Sequence, residues 1–508
     1  MHRLLAFLTA AVAVGATLIT NNTTGIPSSF EYIIIGGETA GLAVANRLSV
    51  NHSVLVIERG ADQRDDGNIN NPLIATAGFP PDDICRGLGS MPPQVGSNGT
   101  KLRVQDVRFG NCLGGGSSIN GMGGFRPTLA GLNALEALGN PGWGWDDFLP
   151  VPKHSLHQMH NPFLTPRVHS AAKEMAESVY GVTVTQDIGD RFSGGHVASM
   201  YYHIHFNETL QTQRRSSSAW SFLYPESQRR SNLVVLTEHT VNTITTTNRS
   251  TDGNITATGV TLLPSGGGDM LMFSVSREVI VSAGSIFSPG VLQRIFYKAS
   301  ESHQFWIFPV WARTHDNASF QDHVFISVSF PIIDVFQSDT NVTVNAPTLG
   351  VIPAYPTAKQ SFGDQEAQMI SSAVRNSISA ADQVIASGGI VNAQSLELQA
   401  NVIANAYEVD HPLTEFYVTP GVTLHLVAQS MLPLSRGSVH INTTDPFAFP
   451  VVDAQYLTID SDIEIVTRAA RHLGLVASTP PFSDLINDTT SAAIGLPDVN
   501  ASDDAWRT

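Results

Sequence analysis

The sequence predicts an α/β fold with a second, β-rich layer, and three observations carry the prediction. Residues 31–60, EYIIIGGETAGLAVANRLSVNHSVLVIERG, read as strand, glycine turn, helix, strand and acid. Short apolar runs return far along the chain at Leu233–Leu236, Val260–Leu263 and Val279–Ser282, the last ending in a small-residue turn. Beyond residue 400, the stretches Asn401–Tyr407, Gly421–Ala428 and Ser438–Ile441 alternate or run apolar and suit an antiparallel sheet carrying a substrate pocket.

Each element of the first unit has its own reason. Tyr32–Ile35 is a short β-branched run suited to a strand buried on both faces, and Gly36-Gly37 ends it. From Ala40 the apolar residues Leu42, Ala43, Ala45 and Leu48 recur at helical spacing, with Asn46 and Arg47 on the polar face. Val54–Ile57 is a second buried strand, closed by Glu58, Arg59 and Gly60. An acid about 20 residues after the first glycine of a βαβ unit is the dinucleotide-binding arrangement. The helix N-terminus offers free N–H groups to a diphosphate, and the acid accepts from a ribose hydroxyl. In the G-x-G-x-x-G fingerprint, Gly36 and Gly41 hold the first and third places, but Glu38 holds the second. A carboxylate there brings bulk and negative charge toward a dianionic group.

Gly60 to Asn98 is rich in Pro, Asp and Gly and reads as loops with short helices. The run RFGNCLGGGSSINGMGGFR (108–126) embeds Leu113, Ile119, Met122 and Phe125 among glycines, which a flexible linker rarely does. It reads as a backbone loop that approaches a cofactor closely, rather than the interior of a regular helix or strand. Ile463 to Leu475 has helical spacing, with Arg468 and Arg471 on its polar side.

Composition bounds the function. The chain has 508 residues, 42% hydrophobic, with 28 basic against 44 acidic residues and a formal charge of −16. That balance argues against phosphate-tracking nucleic-acid binding and reads as solubility. The N-terminus pairs His2 and Arg3 with an apolar stretch from Leu4 to Val14 and small residues at Gly15-Ala16, as a secretory signal peptide does. N-x-S/T sequons recur from Asn21 to Asn500, supporting export and a glycosylated surface, without stable membrane association. Two cysteines, Cys85 and Cys112, could form one disulfide but no thiolate metal site, and no H-E-x-x-H spacing occurs, so no metal is expected.

The two glycine stretches resemble the glucose–methanol–choline (GMC) family of FAD-dependent oxidoreductases, the loop Asn111–Met122 matching the first family signature. Further segments follow in the family order: GNPGWGWDD (139–147), RSSSA (215–219) and NLVVLT (232–237), REVIVSAG (277–284) with Ser285, Ser288 and Pro289, FQDH (320–323), and PLSRGSV (433–439). The resemblance implies a Rossmann-like FAD-binding domain and a discontinuous α+β substrate domain on an antiparallel sheet. With the signal peptide read over 1–20, it implies FAD-binding parts at 28–150, 225–330 and 430–508. Substrate-domain parts fall at 151–224 and 331–429. FAD would be held through Gly36, Gly37, Thr39, Ala40 and Gly41 at the diphosphate and Glu58 at the ribose, with Arg59 also among the cofactor-binding residues. Gly116 and Ser117 would also contact the cofactor, and Asn120, Gly121, Met122 and Gly123 would lie along the flavin side, with Val241 near the adenine. The hydroxyls of Ser117 and Ser118 are expected to donate to phosphate. The implied reaction is oxidation of an alcohol to a carbonyl, with electrons passed to oxygen or another acceptor, in a secreted fungal protein that serves secondary metabolism in many relatives.

Departures from the family pattern set alternatives. Residues 295–316 do not match the family, whose S-G-I-G-P run is replaced by RIFYK. The H-P-x-G-T segment with the family's catalytic His is not found in residues 1–508, so no catalytic residue is assigned. His323 reads as structural or pocket-lining, and His154, His157 and His160 as a solvated helix face rather than a metal site. The alternatives are a truncated, inactive family member and a redox-neutral cyclase on the same scaffold.

Overall fold

A computed structural model describes residues 16–72, 85–89, 106–124, 127–148, 166–185, 194–197, 201–207, 212–247 except 228, 255–297, 320–331, 352–386, 393–408, 414–419 and 423–486, with a few isolated positions besides. His154, His157, His160 and most of the unmatched 295–316 stretch lie outside the described residues.

The strands that build the two main sheets are β1 (Leu18–Thr20), β2 (Ser29–Ile35), β3 (Val54–Ile57), β4 (Thr183–Val184), β5 (His196–Val197), β6 (Leu233–Leu236), β7 (His239–Thr246), β8 (Ala257–Pro264), β9 (Leu271–Val281), β10 (Val324–Pro331), β11 (Ile352–Tyr355), β12 (Thr414–Thr419) and β13 (Thr423–Ser430). The first sheet has the order β1-β6-β3-β2-β9-β8-β7, parallel from β1 to β9 and antiparallel beyond it. Its central strands are buried on both faces, which is why they read as unbroken apolar runs. Ile33, Ile35, Leu55, Ile57, Val234 and Leu236 face one core. Ile34, Val54, Val56, Leu233 and Val235 face the other, where Leu42 and Ala45 of helix α1 (Thr39–Leu48) pack. Strand β1 falls inside the stretch expected as signal peptide, and it pairs with β6 at the sheet edge.

The second sheet has the order β10-β13-β12-β11-β5-β4 and is antiparallel except for β4 and β5. Strand β10 belongs to it, so the sheet includes residues 324–330, which the sequence reading had placed in the FAD-binding part. Helix α2 (Pro166–Tyr180) and helix α6 (Asp460–Ser478) cover one face with Met175, Ala176, Leu473 and Val476. On α6 the expected helix is present, and Arg468 pairs with Glu464 and Glu366.

Three expectations are corrected. Asn401–Tyr407 is not a strand but the last part of helix α5 (Ala393–Glu408), packed on α4 (Asp364–Ala386). Ala400, Ile403, Ala404 and Tyr407 are its buried side chains, at i, i+3, i+4 and i+7, the spacing of one helix face. Ser438–His440 forms only a two-stranded ribbon with Val451–Asp453, outside the large sheet. Cys112 is a free, fully buried thiol, so the possible disulfide is not formed.

Candidate dinucleotide-binding site

The first βα turn lies where the C-terminal ends of β2, β3 and β9 meet. Gly36 turns with φ of 102°, and a Cβ there would sit 2.4 Å from the Ser282 carbonyl oxygen at the end of β9. Only glycine lets the two strand ends approach so closely at that φ. The Gly37 N–H donates to Glu58 Oε2 at 2.8 Å, and the Gly60 N–H donates to Glu58 Oε1 at 2.7 Å. Burial pushes the Glu58 carboxyl up to about 7, opposed by these two N–H bonds and by Arg59. With two donors already on it, Glu58 is the carboxylate of this site that keeps its charge best.

A cleft of about 520 Å³, part of it open to solvent, runs from this turn toward the far edge of the sheet. Ile35, Phe287 and Val291 supply apolar walls, and Thr240 and Val241 of β7 line the floor. Among the described residues the buried Thr240 hydroxyl has no hydrogen-bond partner. Arg59 lies over the rings of Phe287 and Phe449, at 4.9 and 5.0 Å from their centroids. Arg294, on helix α3 (Gly284–Tyr297), donates through Nε to Asn242 O at 2.7 Å and through Nη2 to Val241 O at 3.3 Å. Burial lowers its guanidinium to about 10.

The glycine loop closes the near end. Gly114 donates its N–H to Gly37 O at 2.8 Å, and residues Gly116–Ile119 make one short helical turn. Gly114 and Gly115, both at positive φ, set up this single turn. The Ser117 hydroxyl donates to Gly114 O at 2.6 Å, and the Ser118 hydroxyl to Leu113 O at 2.9 Å. The structure thus directs both hydroxyls to carbonyls inside the loop, where the expectation had them on phosphate. Asn120 Oδ1 accepts from the Met122 N–H at 3.1 Å and from Arg215 Nη1 at 2.8 Å. Met122 is buried at φ of 62°, Gly121 is exposed, and Gly123 pairs with Tyr202. Thr39 and Ala40 sit exposed in the first turn of α1.

Sequence reasoning missed three contributors to this site. Arg215 is wholly buried and donates to the carbonyls of Ile69, Ser117 and Asn120, holding the glycine loop from behind. Thr240 and Arg294 complete the cleft. Arg215 opens the RSSSA segment, and the apolar run before Thr240 and an arginine inside an otherwise apolar helix are the signals for the other two.

The donor set fits the adenosine half of a dinucleotide. Glu58 can accept from a ribose, the unpartnered Thr240 hydroxyl is available to a base or sugar, and the apolar walls suit a planar ring. The diphosphate end is less open, since Glu38 projects between Gly115 and Gly284.

The GMC oxidoreductase family model matches residues 30–301, more than half of the chain. The chain is 26% identical to glucose oxidase 2 of Penicillium expansum over 545 aligned residues, covering 97% of this chain and 82% of that protein. In fold it is similar to a fungal aryl-alcohol oxidase, with a TM-score of 0.75 at 21% identity, covering 95% of this chain and 87% of that one. It is also similar to an FAD-dependent oxidoreductase from Chaetomium thermophilum, with a TM-score of 0.70 at 22% identity, covering 90% and 83%.

Proposed function

The chain belongs to the GMC oxidoreductase family, and on that premise we propose that it binds FAD without a covalent link and oxidises a small-molecule alcohol to a carbonyl. The observation that carries this reading is the cleft at the first βα turn, with Glu58 held by two backbone N–H groups at its near end and Thr240 unpartnered on its floor. Glu58 would hold the ribose, and Val241 with the apolar walls would hold the adenine. The glycine loop, stapled by Arg215, would run along the flavin side. FAD, when bound, supplies a two-electron acceptor for the hydride of the alcohol carbon. Oxygen or another acceptor would then take the electrons.

The sequons and the apolar N-terminal stretch support a secreted, glycosylated protein of fungal type, and the sequence resemblance supports a place in secondary metabolism. No helix among the described residues is long and apolar enough to cross a membrane. The test is the visible absorption spectrum of the purified chain, before and after anaerobic addition of a panel of alcohols. A flavin spectrum that one alcohol bleaches is the expected result. A protein that stays colourless after incubation with FAD would overturn the reading, and a flavin that no alcohol bleaches would remove the oxidation step from it.

A further inference from the structure

Glu38 stands at the middle place of the glycine fingerprint, and its surroundings give that substitution a consequence. The side chain leaves the N-cap of α1, makes no capping hydrogen bond there, and reaches between two other backbone turns. A Cβ built on Gly115 would lie 2.6 Å from Glu38 Cγ, and one on Gly284 would lie 2.8 Å from Glu38 Oε2. Two glycines from distant parts of the chain therefore make room for this one carboxyl. Among the described residues no hydrogen-bond donor reaches it, whereas its neighbour Glu58 has two. Glu58 at the end of β3 and Cys112 on the glycine loop lie within electrostatic reach of it, and Arg59, His239 on β7 and Arg294 on α3 line the same cleft. Burial pushes the Glu38 carboxyl up to about 8, and the negative charge of Glu58 adds to the effect.

We propose that Glu38 meets the cofactor diphosphate only as the neutral acid, donating its O–H to a phosphate oxygen, so that FAD binding takes up one proton at this side chain wherever Glu38 is ionised in the apoprotein. The inference rests on the FAD reading given above. An ionised carboxylate lacking donors, set beside a doubly charged diphosphate in a half-buried turn, is repelled by it and gains nothing in return. The neutral acid reverses both terms, since it carries a donor and no charge. In the glycine fingerprint the same space is empty, and no proton is required.

The test is titration of the full-length apoprotein with FAD, followed by flavin fluorescence from about pH 6 to about pH 9, for the natural chain, Glu38→Gln and Glu38→Gly. The natural chain should lose affinity about tenfold per pH unit above the Glu38 pKa, the slope of one proton taken up. Glu38→Gln keeps a donor and should bind with a flat profile. Glu38→Gly should also be flat and should bind at least about tenfold more tightly than the natural chain at about pH 9. Tight binding by the natural chain with no pH dependence would overturn this inference and leave the FAD reading standing. A slope that persists in Glu38→Gln would also overturn it, by assigning the proton to another group such as Glu58. Failure of all three proteins to bind FAD at any pH would overturn both.

Discussion

Arg215 shows how one side chain secures a loop rich in glycine. Its guanidinium is buried and donates to Ile69 O at 2.9 Å, Ser117 O at 3.2 Å and Asn120 O at 2.7 Å. A glycine-rich segment has high conformational freedom when unfolded, so its order depends on such outside partners. Arg215→Met fills part of the volume but leaves these carbonyls without their donor. The expected cost is about 2–4 kcal/mol, read as a lower urea midpoint, because buried unsatisfied groups cost about 1–3 kcal/mol each and Asn120 can regain water. An unchanged midpoint would show that the loop is held by its own hydrogen bonds. Glu58 and Glu38 make the complementary point at this scale. Two carboxyls in one turn differ because one has backbone donors and the other has none.

Helix α5 is the element on which sequence and structure part. The run NVIANAY is apolar enough to read as a strand, but its buried positions follow one helix face against α4. Ala400 and Ala404 let the two helices approach, and Ile403 and Tyr407 fill the space between them. Ile403→Ala should destabilise the chain by about 2–5 kcal/mol, the range for truncating a buried aliphatic side chain. Thermal unfolding followed by far-UV circular dichroism measures it. A loss well under 1 kcal/mol would mean that the α4–α5 pair is loosely packed. The same helix pair connects to the second sheet through Arg468 of α6, which reaches Glu366 on α4. Its Glu366 end is exposed to water, which limits what the contact adds to stability.

For the whole molecule, the buried titratable groups set how stability varies with pH. Folded Glu38 holds its proton up to about 8 against an ordinary value of 4.5, so between those values the folded chain binds more protons than the unfolded one. Stability from this group is full below the unfolded pKa and is lost as pH rises through the folded pKa. His472 acts oppositely, because burial lowers it to about 4 from 6.5 and stability rises across that window. Above the His472 window, the apoprotein should therefore melt at progressively lower temperature up to about pH 8, and Glu38→Gln should reduce the fall. Glu58, raised to about 7, leaves a remainder in that variant. Equal falls in both proteins, measured by differential scanning fluorimetry, would place the lost protons elsewhere. Much of this architecture was legible in the sequence. The order strand, turn, helix, strand and acid over residues 31–60 depends on neighbours within a single βαβ unit, and burial of its strands on both faces writes itself as unbroken apolar runs. The glycine loop and the family to which the chain belongs followed from residue types at short spacing. Tertiary structure alone decided which of two readings a short apolar run takes, as at Asn401–Tyr407, because periods of 2 and 3.6 overlap over so few residues. It alone decided the environment of Glu38, whose walls are Gly115 and Gly284, and the partners of Arg215 at Ile69 and Asn120. Hydrogen bonding and desolvation act through space between residues far apart in the chain, and no local pattern of residue types encodes that proximity.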